Sequence, residues 1–195
     1  MPKNPAINCC FLILPLLVLL ASAAAAAQFS AQMLIKDGDK LLPARIFVQD
    51  GKLRQEFSDA EGQTVTIVRP DKKVVWIIIP WERAYTELPF RGKLPGQFIQ
   101  IPPDALSKRL VGKDTVNGYE TEKYEVSVRS RGGPEHQTIW LAPKLGTPVK
   151  MIAKERNFSI EYKSIKEAAQ PDRLFDLPPG YKKLDAAGFG SKLNE

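Results

Sequence analysis

Residues 73–90 read KVVWIIIPWERAYTELPF, and the reading of this stretch decides the fold. Every position from Val74 to Ile79 is apolar. Six residues fall far short of the ~18 uncharged residues that a spanning helix needs, so this run does not cross a membrane. In a strand, successive side chains point to opposite faces, and Val75, Ile77 and Ile79 then share one face while Val74, Trp76 and Ile78 share the other. A strand that is apolar on both sides must be covered on both sides. The expectation is a strand near the centre of a sheet, with a lid or the C-terminal tail packed over its second face.

Outward from this run the period stays at two. On the N-terminal side, Phe29, Ala31, Met33 and Ile35 alternate with Ser30, Gln32 and Lys36. Ala44, Ile46 and Val48 follow, then the tight-hairpin signal QDGK at 49–52, then Leu53, Gln55 and Phe57. Val65 and Ile67 sit opposite Thr64 and Thr66. On the C-terminal side, strands are expected over 119–130, 137–142, 149–156 and 158–165. There Tyr124, Val126 and Val128 share a face, as do Val149, Met151 and Ala153, and as do Phe158, Ile160 and Tyr162.

The middle is different. LPFRGKLPGQFIQIPPDALSKRL carries four prolines and two glycines and permits at most one short helix near Pro103 to Lys108. About ten strands joined by short turns imply antiparallel, meander-like pairing. The fold class expected is mostly β: a single curved antiparallel sheet, an unclosed half-barrel with short helical lid segments. The lid is expected at about 91–110 and a C-terminal tail at 171–195.

The first 27 residues are of another kind. Lys3 is their only charge, Phe11 to Ala21 is an apolar run, and small residues follow. That order is what a cleaved secretory signal peptide needs, with cleavage expected before Gln28. Cys9 and Cys10 precede the apolar run, so lipidation at a mature N-terminus is not expected, and both cysteines leave with the signal. Residues 28–195 are expected to form one domain of about 168 residues, able to bury roughly two-thirds of its chain surface. Without Lys3 the chain keeps 27 basic and 22 acidic side chains, a formal charge of +5. This spread, mild excess fits loose attraction to anionic head groups, and nucleic acid is not an expected partner.

Catalysis has little to work with. His136, in the polar run PEHQT, is the only histidine, which removes multi-histidine metal sites. It reads as an exposed turn residue. Asp37 with Asp39, and Glu120 with Glu122 and Glu125, read as solvated carboxylates rather than acid–base pairs. No serine has a G-x-S-x-G context and no glycine run has phosphate-loop spacing. No catalytic residue, metal or cofactor is expected.

Here the residues resemble a family. GKLRQEF (51–57), GQTVTIVRPDKKVVWIIIPWERAYTE (62–87), TIWLAPKLGTPVKM (138–151) and LFDLPPGYKKL (174–184) follow the strand order of the LolA/LolB-like periplasmic lipoprotein carriers. They are closer still to an exported bacterial domain family of unknown function, DUF4412. The likeness covers most of residues 29–184. It implies an unclosed antiparallel barrel capped by short helices, with an apolar cavity for acyl chains. The carriers' lid-locking arginine and the acceptor protein's leucine loop have no counterpart in the matched stretches.

The expected function is binding or carriage of a lipid or an acylated lipoprotein in the periplasm of a Gram-negative bacterium. The residues expected to line the cavity are Met33, Ile35, Ile46, Val48, Leu53, Phe57, Val65, Ile67, Ile77, Ile79, Tyr124, Val126, Met151 and Ile160. The alternative is an envelope sensor or assembly partner that uses the same fold without lipid transfer. It predicts an exposed partner patch including Trp81, Phe90 and Phe98. A transient contact with the membrane surface fits either reading.

Overall fold

The period-two stretches become strands of one continuous sheet in a computed structural model that describes residues 27–59, 62–91, 98, 100–130 and 132–185. The expected signal segment, residues 92–97 and 99 of the lid, and the end of the tail from residue 186 lie outside the described residues. Among the described residues there are twelve strands: β1 (Phe29–Asp37), β2 (Lys40–Gln49), β3 (Lys52–Asp59), β4 (Gly62–Arg69), β5 (Val74–Ile79), β6 (Ala84–Pro89), β7 (Ser107–Val116), β8 (Tyr119–Ser130), β9 (Gly133–Ala142), β10 (Thr147–Ala153), β11 (Phe158–Glu167) and β12 (Lys182–Lys183). Their spatial order is β12-β6-β5-β4-β3-β2-β1-β11-β10-β9-β8-β7, so the sheet is open, with β12 and β7 as its edges. All pairings are antiparallel except β12 on β6. The mostly β, unclosed sheet expected from the alternation is what forms.

Turn chemistry sets the registers. At QDGK, Asp50 and Gly51 both take positive φ, 50° and 76°. That pair of conformations makes the primed two-residue turn whose twist matches its strands. It fixes Gln49 opposite Lys52 and Val48 opposite Leu53.

The two faces have different covers. The larger apolar cluster lies on the concave face and gathers Phe29, Met33, Ile46, Leu53, Val75, Val126, Met151, Ile160 and Tyr162. The three shared faces expected on β8, β10 and β11 all pack into it. Phe98 seals one part of it. Its ring meets Tyr162 edge-on at 5.5 Å between centroids, and the Tyr162 hydroxyl donates to the Phe98 carbonyl. Complete burial pushes the Tyr162 phenol well above its ordinary pKa.

The smaller cluster lies on the opposite face. It consists of Phe47, Val65, Ile67, Trp76 and Ile78 under Phe175, with Leu174, Leu177 and Tyr181 packed around them. The tail therefore covers the second face of β5, as its two-sided apolar pattern requires. Phe175 ends a single-turn 3-10 helix, Asp172–Phe175, far too short to persist alone. Arginines hold it from below. Arg69 Nη1 donates to the Phe175 carbonyl at 2.9 Å and to Asp176 at 2.6 Å, and Arg54 Nη1 donates to the Leu174 carbonyl at 3.1 Å. Lys72 first, then Arg69, lowers the pKa of Asp176, and Arg69 pulls Asp71 down to about 2. On the same face, Glu87 accepts from Trp76 Nε1 at 2.9 Å and from Lys183 at 2.8 Å, which ties β12 to β6.

Three expectations are corrected. β5 is third from an edge rather than central, because two-sided burial here comes from the tail and not from a mid-sheet position. The segment expected as a lid at about 91–110 ends early, and its stretch near Pro103 to Lys108, which permitted at most one short helix, forms a turn. Pro102 closes a turn onto Ala105, and β7 begins at Ser107, inside the segment expected as a lid. His136 is exposed, as expected, but stands on β9 rather than in a turn.

Candidate functional site

Register decides which side chains share the concave face. Ala31 pairs with Ile46, Ile46 with Gln55, Gln55 with Thr66, Thr66 with Ile77 and Ile77 with Thr86. These six positions form one row across β1 to β6, because directly paired residues project to the same side. The next row toward the β3–β4 turn carries Ala44, Phe57 and Thr64.

Most of the expected lining residues occupy this face. Met33, Ile35, Ile46, Leu53, Val126, Met151 and Ile160 are buried in the concave cluster, and Val48, Phe57, Ile77 and Tyr124 are part-buried against it. Ile79 is fully buried and shares its strand face with Ile77 and Val75. Val65 and Ile67 do not belong here. Their partners are Ile78 and Trp76, and both pack under the tail in the smaller cluster. The Thr64, Thr66 side of β4 faces the concavity instead.

Burial along the concave face is uneven. Around Tyr162, Phe29 and Phe98 the chain's own rings fill the space. On β3 to β5, Phe57, Thr64, Thr66 and Ile77 are neighbours in register and all remain part-exposed. Val48, Leu88, Tyr124 and Val128 of the same cluster are part-exposed as well.

Cavities lie elsewhere, with mixed polar and apolar linings. One of about 460 Å³ is lined by Lys113, Tyr119, Glu122, Lys144 and Glu167, and another of about 480 Å³ beside it shares Lys144 and Glu167. Lys144 pairs with Glu167 at 2.7 Å and the Tyr119 hydroxyl donates to the same carboxylate at 2.9 Å. Desolvation, then Glu167, raises Tyr119 to about 12. A third, of about 380 Å³, includes His136 with Arg109, Glu125 and Lys154. Among the described residues, no three His, Cys, Asp or Glu side chains group as a metal site.

The expected partner patch does not assemble. Trp81 is exposed, Phe90 is part-buried against the concave cluster, and Phe98 is 6% exposed within it. Trp81 precedes β6 and Phe90 follows it, so the strand's six residues, about 20 Å, separate them. Trp81 instead lies against Gly62, whose backbone (φ 136°) it approaches so closely that an added Cβ would sit 2.6 Å from the ring. A different grouping appears. Following the registers, the β1–β2 turn, the β5–β6 turn and the start of β7 all lie at one end of the sheet. Leu41, Leu42, Trp81 and Leu106, four of the five exposed large hydrophobics among the described residues, project from that end. Sequence reading missed the leucines because a hairpin beginning Lys40-Leu41-Leu42 looks like ordinary strand.

No protein-family model and no curated protein matches the sequence. Solved structures do. A conserved protein from Thermus thermophilus aligns over 83% of this chain and 91% of its own at 14% identity, TM-score 0.59. MucB, in its complex with MucA from Pseudomonas aeruginosa, aligns over 80% of this chain at 18% identity, TM-score 0.50. The match spans only 57% of the MucB chain. Lipoprotein LppX of Mycobacterium tuberculosis matches more loosely, over 72% of this chain and 88% of its own at 11% identity, TM-score 0.43. At these identities what is shared with the Thermus protein and MucB is the fold.

Proposed function

We propose that this chain is an exported binding protein without catalytic activity, of the kind the LolA/LolB-like resemblance implies, whose concave face takes the acyl chain of a lipid or an acylated lipoprotein. The observation that carries this reading is the part-exposed strip of Phe57, Thr64, Thr66 and Ile77, bordered by fully buried aliphatics. The tail claims the opposite face, so the strip is a part of the concave face that the tail does not cover. Each buried methylene contributes about 0.8 kcal/mol, and ten of them give about 8 kcal/mol, or micromolar affinity.

The test is to purify the protein from the envelope of its own host and extract it for lipid mass spectrometry, with uptake of a fluorescent fatty acid by the stripped protein alongside. Stoichiometric acyl lipid and saturable uptake at micromolar concentrations are expected. A preparation free of lipid that takes up no fatty acid removes the reading.

A second reading is a sensor or assembly partner in the envelope. The likeness to MucB, a protein solved in complex with MucA, favours it, as does the exposed end bearing Leu41, Leu42, Trp81 and Leu106. Crosslinking to one envelope protein in the absence of bound lipid is its signature.

A further inference from the structure

The concave row that crosses the part-exposed strip is not uniformly apolar. Gln55 is 4% exposed and Thr86 is 5% exposed, and Thr66 stands between them in register. Their hydrogen-bonding capacity is largely unused. The one partner of the Gln55 amide is the Met33 thioether sulfur, a weak acceptor, at 3.8 Å. Among the described residues no donor reaches the Gln55 carbonyl, and neither threonine hydroxyl has a side-chain or backbone partner. Buried polar groups in folded proteins are nearly always paired, and each exception requires a reason. Leaving such groups unpaired costs stability that a leucine and two valines would not.

Nothing in the sheet needs these groups. Gln55 and Thr66 lie on neighbouring strands, with Ile46 and Ile77 on either side in the row, Thr86 beyond Ile77, and Leu53, Phe57 and Val68 along the strands. From the spacing of ~4.8 Å between strands, the row from Gln55 to Thr86 is about 14 Å long. A few fixed polar groups in an otherwise apolar site are the usual means of orienting a bound molecule. The Gln55 amide and the two hydroxyls all offer N–H or O–H donors to a guest.

We propose that Gln55 and Thr66 form a carbonyl-recognition pair for an acyl chain that ends in an ester or amide. This deepens the acyl-binding reading and rests on it. The hydrocarbon lies along the strip of Phe57 and Ile77, and the carbonyl oxygen accepts from the Gln55 amide and the Thr66 hydroxyl, which are directly paired across β3 and β4. The Gln55 carbonyl takes an N–H or O–H from the atoms that follow the acyl group. A plain hydrocarbon leaves the row unpaired and binds less well. The shared chemistry is an O-acyl or N-acyl group, from a glycerolipid or from an acylated protein terminus.

Three probes of equal chain length test it with the full chain after lipid removal: 1-palmitoylglycerol, N-palmitoyl-glycylglycine amide, and the ether 1-O-hexadecylglycerol, which lacks the carbonyl. Wild type is expected to bind the ester or the amide about tenfold more tightly than the ether, and the tighter of the two identifies the source. Gln55→Leu and, separately, Thr66→Val are expected to erase that preference while leaving ether affinity unchanged. Both variants are expected to melt at the wild-type temperature or about 2–4 °C above it. That pairing of lost preference with retained stability is what a purely structural role does not produce. Equal binding of ester, amide and ether by wild type overturns the proposal, as do variants that melt lower and lose all three probes together. If no probe binds at all, the acyl-binding reading itself falls with it.

Discussion

Replacing Phe175 with alanine is expected to destabilise the protein by about 3–5 kcal/mol, the range for truncating a fully buried phenylalanine. Phe175 has no exposed surface and is the piece of the tail that closes the cluster of Phe47, Val65, Ile67, Trp76 and Ile78. The helix that presents it is one turn long, so nothing local keeps the tail seated once the ring is gone. The bonds from Arg69 and Arg54 to the Phe175 and Leu174 carbonyls then lose the geometry that made them. A thermal melt is expected to shift down by roughly 10 °C or more, and Trp76, now beneath an unseated tail, moves toward water. A loss below ~1 kcal/mol would mean that the tail is ornament on this face. Since the tail and the strip occupy opposite faces, Phe175→Ala is expected to retain acyl uptake below its lowered melting temperature.

The second large effect is on binding. Ile77→Asp places a carboxylate in the middle of the concave strip, at a position already part-exposed, so the sheet tolerates it better than at Ile46 or Leu53. A chain forced to leave about four methylenes in water loses roughly 3 kcal/mol, about a hundredfold in affinity. Titration of a fluorescent fatty acid into Ile77→Asp and wild type measures it. The control is Ile78→Val, one residue along but under the tail: it is expected to lower stability by about 0.5–1.5 kcal/mol and leave affinity alone.

The difference between Ile77 and Ile78 also shows how much of the molecule was legible in advance. Alternation says that neighbours on a strand face opposite ways, and in β5 the absence of any polar position revealed that both faces are covered. Which cover goes to which face is a question about distant segments, and the tail that answers it for β5 lies about 100 residues downstream. The assignment of Val65 and Ile67 failed for the same reason. Apolar residues were taken to face the concavity, whereas β4 turns its valine and isoleucine to the tail and its threonines inward. The polar row of the concave face is therefore invisible to a rule that equates apolar with inside.

β7 was missed because it is an edge. Its sequence, SKRLVGKDTV, has nine of ten residues exposed or part-exposed and a glycine at its irregular register, so it lacks the alternation that burial imposes elsewhere. Basic residues on such a strand, here Lys108, Arg109 and Lys113, blunt its tendency to pair with another chain. Phe98, expected in an exposed partner patch, is instead buried. It is drawn into the core by Tyr162, whose buried hydroxyl needs the acceptor that the Phe98 carbonyl supplies.

The most direct test is to bind uniformly ¹³C-labelled palmitate to the stripped protein and record intermolecular nuclear Overhauser contacts by NMR. Contacts from the chain to the methyl groups of Ile77, Thr66 and Met33 and to the ring of Phe57, with none to Ile78 or Val65, are the predicted result. A palmitate that touches only Leu41, Leu42 and Trp81 at the end of the sheet, or makes no contact with the protein, would contradict it.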